Sequence, residues 1–303
     1  MTLLERIHKL FFYECWACAV RALPDGAEDR LPDDGVRKRY RLLPTDGRHW
    51  AADPFLFSQG GKTFLFFEYM ALHQRRACIA CCQVTAEGFS QIRPVLCEPW
   101  HLSYPAVFAA GGEIYMIPES LESRAVTLYR AVEFPLRWER AAVLIRNFAA
   151  VDTTPYWEEG RCRLLLYDPD EPAHRLRRLY TATLELTPPR LTELRAAREY
   201  PEKLGRPAGA PFPQGGGLVR PTQDCRQRYG GAIRFCAFSG EGERYAEQCV
   251  GVLSPASVET GLPQRALGLH TINRGGGLEA IDLFYRRFSP LKPFRALKRR
   301  LFP

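Results

Sequence analysis

Six carboxylates recur at matching places in a repeated unit, and they are the residues best placed to do chemistry. Asp53 opens the run Asp53-Pro-Phe-Leu-Phe, and Glu68 closes the following apolar run fifteen residues later. In the next copy Tyr104 takes the opening place and Glu119 the closing one, again fifteen apart. Asp152 and Asp168 bracket a third copy with one extra residue in its turn, and a weaker fourth runs from Gly209 to Asp224. A fifth, from His270 to Tyr285, keeps its turn glycine, Gly277, and loses the acid. Carboxylates accept sugar hydroxyls, and a cluster of them repels, so some members hold their protons unless cations intervene. Arg206 and Arg220 are the cations in the same loops. Asp53 and Asp152 open their copies and read as site residues; Glu68 and Asp168 read as strand-end acceptors.

The loops leading into these units carry sugar-binding residue types. His49-Trp50 precedes Asp53, and Glu98-Pro-Trp100-His101-Leu-Ser103 precedes Tyr104. Aromatic faces stack on sugar rings while carboxylates and imidazoles bond hydroxyls, so the mixture suits a polyol.

The elements that must position these groups follow from the period. Copies begin near residues 53, 104, 152, 209 and 270, a spacing of 48 to 61 residues. Self-similarity at that spacing predicts an all-β chain folded as a five-bladed β-propeller, each blade a four-stranded sheet. The innermost strand lines the channel and the second runs back, so opening and closing residues return to one rim. Runs over 77–84, 126–131, 176–184 and 232–238 supply outer strands. The spacing places an amphipathic helix over 2–12 and a strand over 13–20, with Trp16 its bulky member, that closes the ring by pairing with the last blade. The expected division is 1–44 for helix, closing strand and loop, 45–290 for the propeller, and 291–303 for a basic amphipathic tail.

Composition narrows the class. Hydrophobic residues at 46% and charged ones at 25% are those of a globular protein. No apolar run approaches a bilayer's thickness, and Glu5, His8, Lys9 and Glu14 break up any signal-peptide core, so a cytoplasmic location is expected. The net charge is +8, of which the last 18 residues carry +7, leaving the body nearly neutral and a nucleic-acid-binding face unsupported. That basic tail suits an anionic membrane surface, which would make the protein peripheral at the inner membrane face. Ten scattered cysteines include two C-x-x-C pairs, Cys15/Cys18 and Cys78/Cys81. Both pairs lie in strand-like text without turn glycines, so they read as buried thiols rather than a zinc knuckle. No metal and no cofactor is expected.

Six ordered strings carry a resemblance: Trp50-Ala-Ala-Asp-Pro-Phe-Leu-Phe, Glu98-Pro-Trp-His-Leu-Ser-Tyr-Pro, Tyr115-Met-Ile-Pro-Glu-Ser, Val151-Asp-Thr-Thr, Arg206-Pro-Ala-Gly and Arg220-Pro-Thr-Gln-Asp-Cys. From Trp16 onward the chain resembles the N-terminal domain of plant glucosamine inositolphosphorylceramide transferases, which is in turn similar to the five-bladed propellers of family-43 glycoside hydrolases. The resemblance implies a sugar context; glycosyl transfer in the plant proteins is assigned to a separate C-terminal domain. The hydrolase pattern implies Asp53 as general base and Asp152 as the acid that orients its partner. The hydrolases' proton-donating Glu at the fourth blade is replaced here by Arg206-Pro-Ala-Gly209, and arginine does not give up its proton. Glu119 or Glu98 would have to substitute.

Three readings follow. The chain is a carbohydrate-recognising propeller in cell-surface polysaccharide or glycolipid biosynthesis, binding a sugar or glycan through His49, Trp50, Trp100, His101, Tyr104, Arg206, Arg220, Asp224 and His270. Or it is a glycosidase or transglycosidase, with Asp53 as base and Glu119 or Glu98 as acid. Or it is a transferase on a phosphorylated or lipid-linked sugar, with Arg206 and Arg220 holding the anion.

Overall fold

The structure, a computed structural model, describes residues 10–27, 29–32, 35–169, 177–200 and 203–294. Five four-stranded antiparallel sheets follow one another around a ring. The first blade comprises His49–Gln59, Lys62–Ala71, Cys78–Val84 and Arg93–Leu96; the second comprises Ser103–Ala110, Glu113–Glu119, Ala125–Glu133 and Arg137–Arg146. The third comprises Val151–Glu158, Arg161–Asp168, Arg177–Leu186 and Pro189–Tyr200; the fourth comprises Phe212–Gln214, Gly217–Asp224, Ala232–Ser239 and Ala246–Leu253. Apolar faces of neighbouring blades supply the core. Phe66, Ile79, Tyr104, Met116 and Tyr129, for example, form one buried cluster between the first two.

The fifth blade is composite. Ile272–Gly275 and Leu278–Phe288 are joined by Phe12–Ala22 and Arg41–Leu42 from the other end of the chain. Phe12–Ala22 pairs with Leu278–Phe288 along its whole length, from Phe12 opposite Phe288 to Ala22 opposite Leu278. The expected closing strand is therefore present, and it ties residues before 44 into the same sheet as residues after 270. Closure removes two sheet edges that would otherwise be open.

Of the expected N-terminal helix, residues 1–9 lie outside the described residues, and only 10–11 are helical before the strand begins. Residues 292–294 are helical, and the remainder of the basic tail, 295–303, lies outside the described residues. No helix among the described residues is long and apolar enough to cross a membrane. Cys15 and Cys18 lie on one strand, as do Cys78 and Cys81. A spacing of three along a strand points side chains to opposite faces, so neither pair can chelate. All ten cysteines are free thiols.

One backbone device recurs at the channel. Asp53, Tyr104 and Asp152, the opening residues of the first three copies, have φ of 51°, 45° and 49°. At each the strand pairing slips: between Ala52 and Phe55, between Ser103 and Ala106, and between Val151 and Thr154. Each innermost strand thus carries a bulge that re-aims its opening side chain, which is what bulges do at barrel rims and sites. Holding a non-glycine residue at such φ costs on the order of 1–3 kcal/mol, and the channel rim meets it at these three positions. Pro54 and Pro105 fit inside the first two bulges because no ladder donor is needed there.

Candidate functional site

Asp53 sits in a closed polar network. Thr271 Oγ1 donates to its Oδ1 at 2.6 Å, and the Tyr104 N–H donates to its Oδ2 at 3.2 Å. Its own N–H donates to Asp282 Oδ2 at 3.0 Å. Asp282 also takes the N–H groups of His270 and Thr271 on Oδ1, at 2.9 and 3.0 Å. His270 Nδ1 lies 2.5 Å from Asp282 Oδ2, and its Nε2 lies 3.7 Å from Asp53 Oδ1. Burial works against a charged imidazole, yet Asp282 and Asp53 prevail and raise His270 to about 9. Burial pushes the Asp53 carboxyl up to about 7; His270 pulls it back, while Glu68, Asp152 and Asp282 push it further. Asp53, His270 and Asp282 bring potential ligand atoms within 4.8 Å of one another. Their oxygens are already taken by protein donors and the imidazole is cationic, so the trio fits an internal network better than a metal centre.

A second group faces the first. Arg206 forks onto Asp152, Nε to Oδ2 and Nη2 to Oδ1, the latter at 3.0 Å. Its Nη2 also reaches Glu119 Oε2 at 2.9 Å, and Gln223 Nε2 donates to Asp152 Oδ2 at 3.0 Å. Burial drives the Glu119 carboxyl well above the usual range; Arg206 opposes this, and Asp152, hydrogen-bonded to Glu119, adds to it. Arg206 is placed by its backbone, since its C=O accepts the Gln223 N–H at 2.8 Å. Three residues on, Gly209 has φ of 141°, and a Cβ there would fall 1.8 Å from the Ile272 carbonyl oxygen. Only glycine lets the fourth blade approach the fifth this closely.

Two aromatic rings cover the site. Trp16, from the closing strand, stacks on His270 with centroids 3.9 Å apart and planes 13° from parallel. Tyr229 meets His270 edge-on at 5.3 Å and lies 5.7 Å from the Arg206 guanidinium, with 52% of its surface exposed.

The structure therefore gathers Asp53, Asp152, Glu119, Arg206 and His270 at one mouth. Tyr104 borders them through its backbone, while its ring is fully buried and its hydroxyl lies 2.9 Å from Thr154 Oγ1. Trp50 packs beside Trp16, Ala52 and Phe284. His101 Nε2 holds Glu68 at 3.1 Å, and its Nδ1 accepts the Ala77 N–H at 3.2 Å.

Other expected residues lie apart. Glu98 accepts from Tyr129 at 2.7 Å and Arg140 at 3.1 Å, on the outer strands of the second blade. Trp100 packs beneath Arg140, 5.7 Å away, and His49 stacks on Tyr69. Asp224 pairs with Arg226 two residues on, which holds its carboxyl below its usual value. Arg220 corrects the expectation of an anion-holding group. It is 1% exposed, and its Nε and Nη2 bond Glu247, Nη2 also bonds Tyr200, and Nη1 bonds the Gly205 carbonyl.

Asp282, Thr271, Tyr229 and Gln223 were not anticipated. The fifth copy does hold an acid, Asp282, but twelve residues after His270 rather than fifteen, where its N–H donates to the Thr271 carbonyl at 3.2 Å. A buried His–Thr pair followed by an aspartate within an apolar strand was the available signal. Tyr229 sits in a loop and had none.

Known proteins share this architecture. Solved structures with the same fold include an α-L-arabinofuranosidase from Podospora anserina, determined in complex with cellotriose, at TM-score 0.53 and 12% identity over 82% of this chain and 94% of that one. A family-62 α-L-arabinofuranosidase catalytic domain from Coprinopsis cinerea matches at TM-score 0.52 and 11% identity over 89% and 97%. At such identity the likeness speaks for the fold alone. Closer in sequence, glucosamine inositolphosphorylceramide transferase 1 of Arabidopsis thaliana is 33% identical over 194 residues, 61% of this chain and 25% of that protein. Its Oryza sativa subsp. indica counterpart is 32% identical over 203 residues, 63% and 27%. The chain thus spans about a quarter of the length of these relatives. The family model described as glucosamine inositolphosphorylceramide transferase 1, N-terminal, matches residues 45–252, and the chain belongs to that family.

Proposed function

We propose that the chain is a carbohydrate-recognising propeller of glycolipid or cell-surface polysaccharide biosynthesis, taking a sugar at the channel mouth. One observation carries this reading: the half-exposed Tyr229 ring lies against the Arg206 guanidinium, which also holds Glu119 and Asp152. A ring face for stacking beside a fork of donors and carboxylate acceptors is the chemistry of polyol recognition. Family membership supports a sugar context, since the relatives' name refers to glucosamine and an inositol-bearing lipid. Calorimetry or saturation-transfer NMR with glucosamine, myo-inositol and short glycans tests it. Tyr229→Ala should weaken binding about tenfold, the worth of one stacked ring. If Tyr229→Ala and Asp53→Asn both bind as the parent does, the mouth is not the site.

A glycosidase or transglycosidase reading is favoured by a separate observation. Glu119 is driven to keep its proton while Asp53 is raised only to about 7. A carboxyl held protonated by burial, in the same mouth as one raised to near neutral pH, supplies candidates for the acid and base roles. Turnover of aryl glycosides, abolished by either Glu119→Gln or Asp53→Asn, would select this reading over binding alone. The transferase reading loses Arg220 and keeps Arg206.

A further inference from the structure

Beside the mouth, the loop after Asp224 and the connection from the fourth blade to the fifth line a trough of about 1270 Å³. Four arginines line it, Arg37, Arg226, Arg228 and Arg265, against two acids, Asp224 and Glu259. The excess is local, because residues 1–285 carry only about +1 in all. Asp224 is matched by Arg226, which it binds through both carboxylate oxygens, at 3.0 and 2.6 Å. Among the described residues, Arg37 reaches only a carbonyl, that of Val258, at 3.5 Å. Arg228 and Arg265 make no hydrogen bond or ion pair among the described residues, and both are exposed. Such forks left without carboxylates in a concave site with an excess of positive charge are matched to a phosphate, which they can grip bidentately.

The trough and the mouth share structure. The loop bearing Asp224, Arg226 and Arg228 on the trough also presents Tyr229 to His270 and Arg206. Leu267 lines the trough and packs with Trp16, Ala52 and Phe284 at the mouth. We propose that this arginine-lined trough is a binding site for a phosphate ester, placed so that a phosphorylated sugar or the phosphodiester of a lipid headgroup sits beside the channel mouth. The site stands on its own geometry, whether or not the mouth takes a neutral sugar.

The test compares inorganic phosphate, myo-inositol 1-phosphate and myo-inositol by calorimetry on the full chain and on Arg228→Glu/Arg265→Glu. Arg228→Gln/Arg265→Gln is the milder variant, and a thermal melt checks that each folds. The phosphate ester should bind at least about tenfold more tightly than its neutral parent, and more weakly as salt rises. The double variants should lose that preference while neutral-sugar binding, where present, stays as in the parent. Sedimentation with vesicles containing phosphatidylinositol, against phosphatidylcholine alone, separates the sources: capture lost in the double variant marks a lipid headgroup, and ester binding without capture marks a soluble sugar phosphate. Equal affinity for ester and parent, or a preference that survives both double variants, overturns the proposal. Loss of neutral-sugar binding in Tyr229→Ala reads the mouth and leaves this result untouched.

Discussion

His270 Nδ1 lies 2.5 Å from Asp282 Oδ2, and this pair fixes the chemistry of a carboxylate at the other end of the chain, 229 residues from Asp282. Asp282 anchors the imidazole and three backbone N–H groups, including that of Asp53, so the first and fifth blades meet on one side chain. The imidazole then presents Nε2 to Asp53.

The pH dependence of stability follows from these groups. His270 is raised from 6.5 to about 9, so its contribution is fully present below 6.5 and is lost as pH climbs through 9. Asp53 is raised from 3.8 to about 7, so the folded state binds the extra proton in that window and stability also falls as pH rises through it. Urea denaturation across pH should therefore show greatest stability on the mildly acidic side. Asp282→Asn removes the partner that charges His270, and the decline between 6.5 and 9 should flatten. An unchanged slope in that variant would mean the imidazole is neutral in the fold.

Arg206 is the cation on which two carboxyls depend. Arg206→Ala leaves Asp152 and Glu119 without it, and removing one partner of a buried pair costs about 3–5 kcal/mol. Arg206→Lys should recover only part, because an ammonium cannot fork onto Asp152 while also holding Glu119. Asp152→Asn/Glu119→Gln in the Arg206→Ala background should restore stability, since no buried charge then remains unmatched. If Arg206→Ala melts with the parent, the network contributes nothing to folding.

Gly209 marks how closely the fourth blade must approach the fifth. Its φ of 141° and the 1.8 Å a Cβ would leave to the Ile272 carbonyl allow no side chain. Gly209→Ala should destabilise by more than about 3 kcal/mol, because strain and a backbone clash add. Gly61→Ala, at a turn with open space around it, bears only the φ cost and is the control. Equal melting of the two variants would refute the close-approach argument.

A residue was legible in the sequence where the spacing of the repeat marks its position, and hidden where only its contacts in the fold decide its role. The opening and closing acids of each hairpin are local, so Asp53, Asp152 and Glu119 stood out, and the departure at Arg206 was visible against them. Arg220 looked equivalent to Arg206, yet its acceptors are Glu247, Tyr200 and Gly205, from separate strands and loops, and no spacing announces them. Asp282 was hidden because it stands twelve residues after His270, off the fifteen-residue spacing of the other copies, where the fifth holds Tyr285. The bulges themselves were foreshadowed only by Pro54 and Pro105.

Phe12–Ala22 supplies the third strand of the fifth blade and carries Trp16, whose ring covers His270. Removing residues 1–22 would open the edge of Leu278–Phe288 over its full length and uncover the site together, so the truncated chain should aggregate or melt without a cooperative transition. A synthetic peptide of residues 12–22 should restore a cooperative melt when added, because the edge it meets is already patterned for it. The same peptide with alanine at Trp16 should restore the fold less well, since losing a buried tryptophan costs about 3–5 kcal/mol, and should leave His270 open to solvent. A chain lacking residues 1–22 that melts as the parent does would show that the ring closes without this strand.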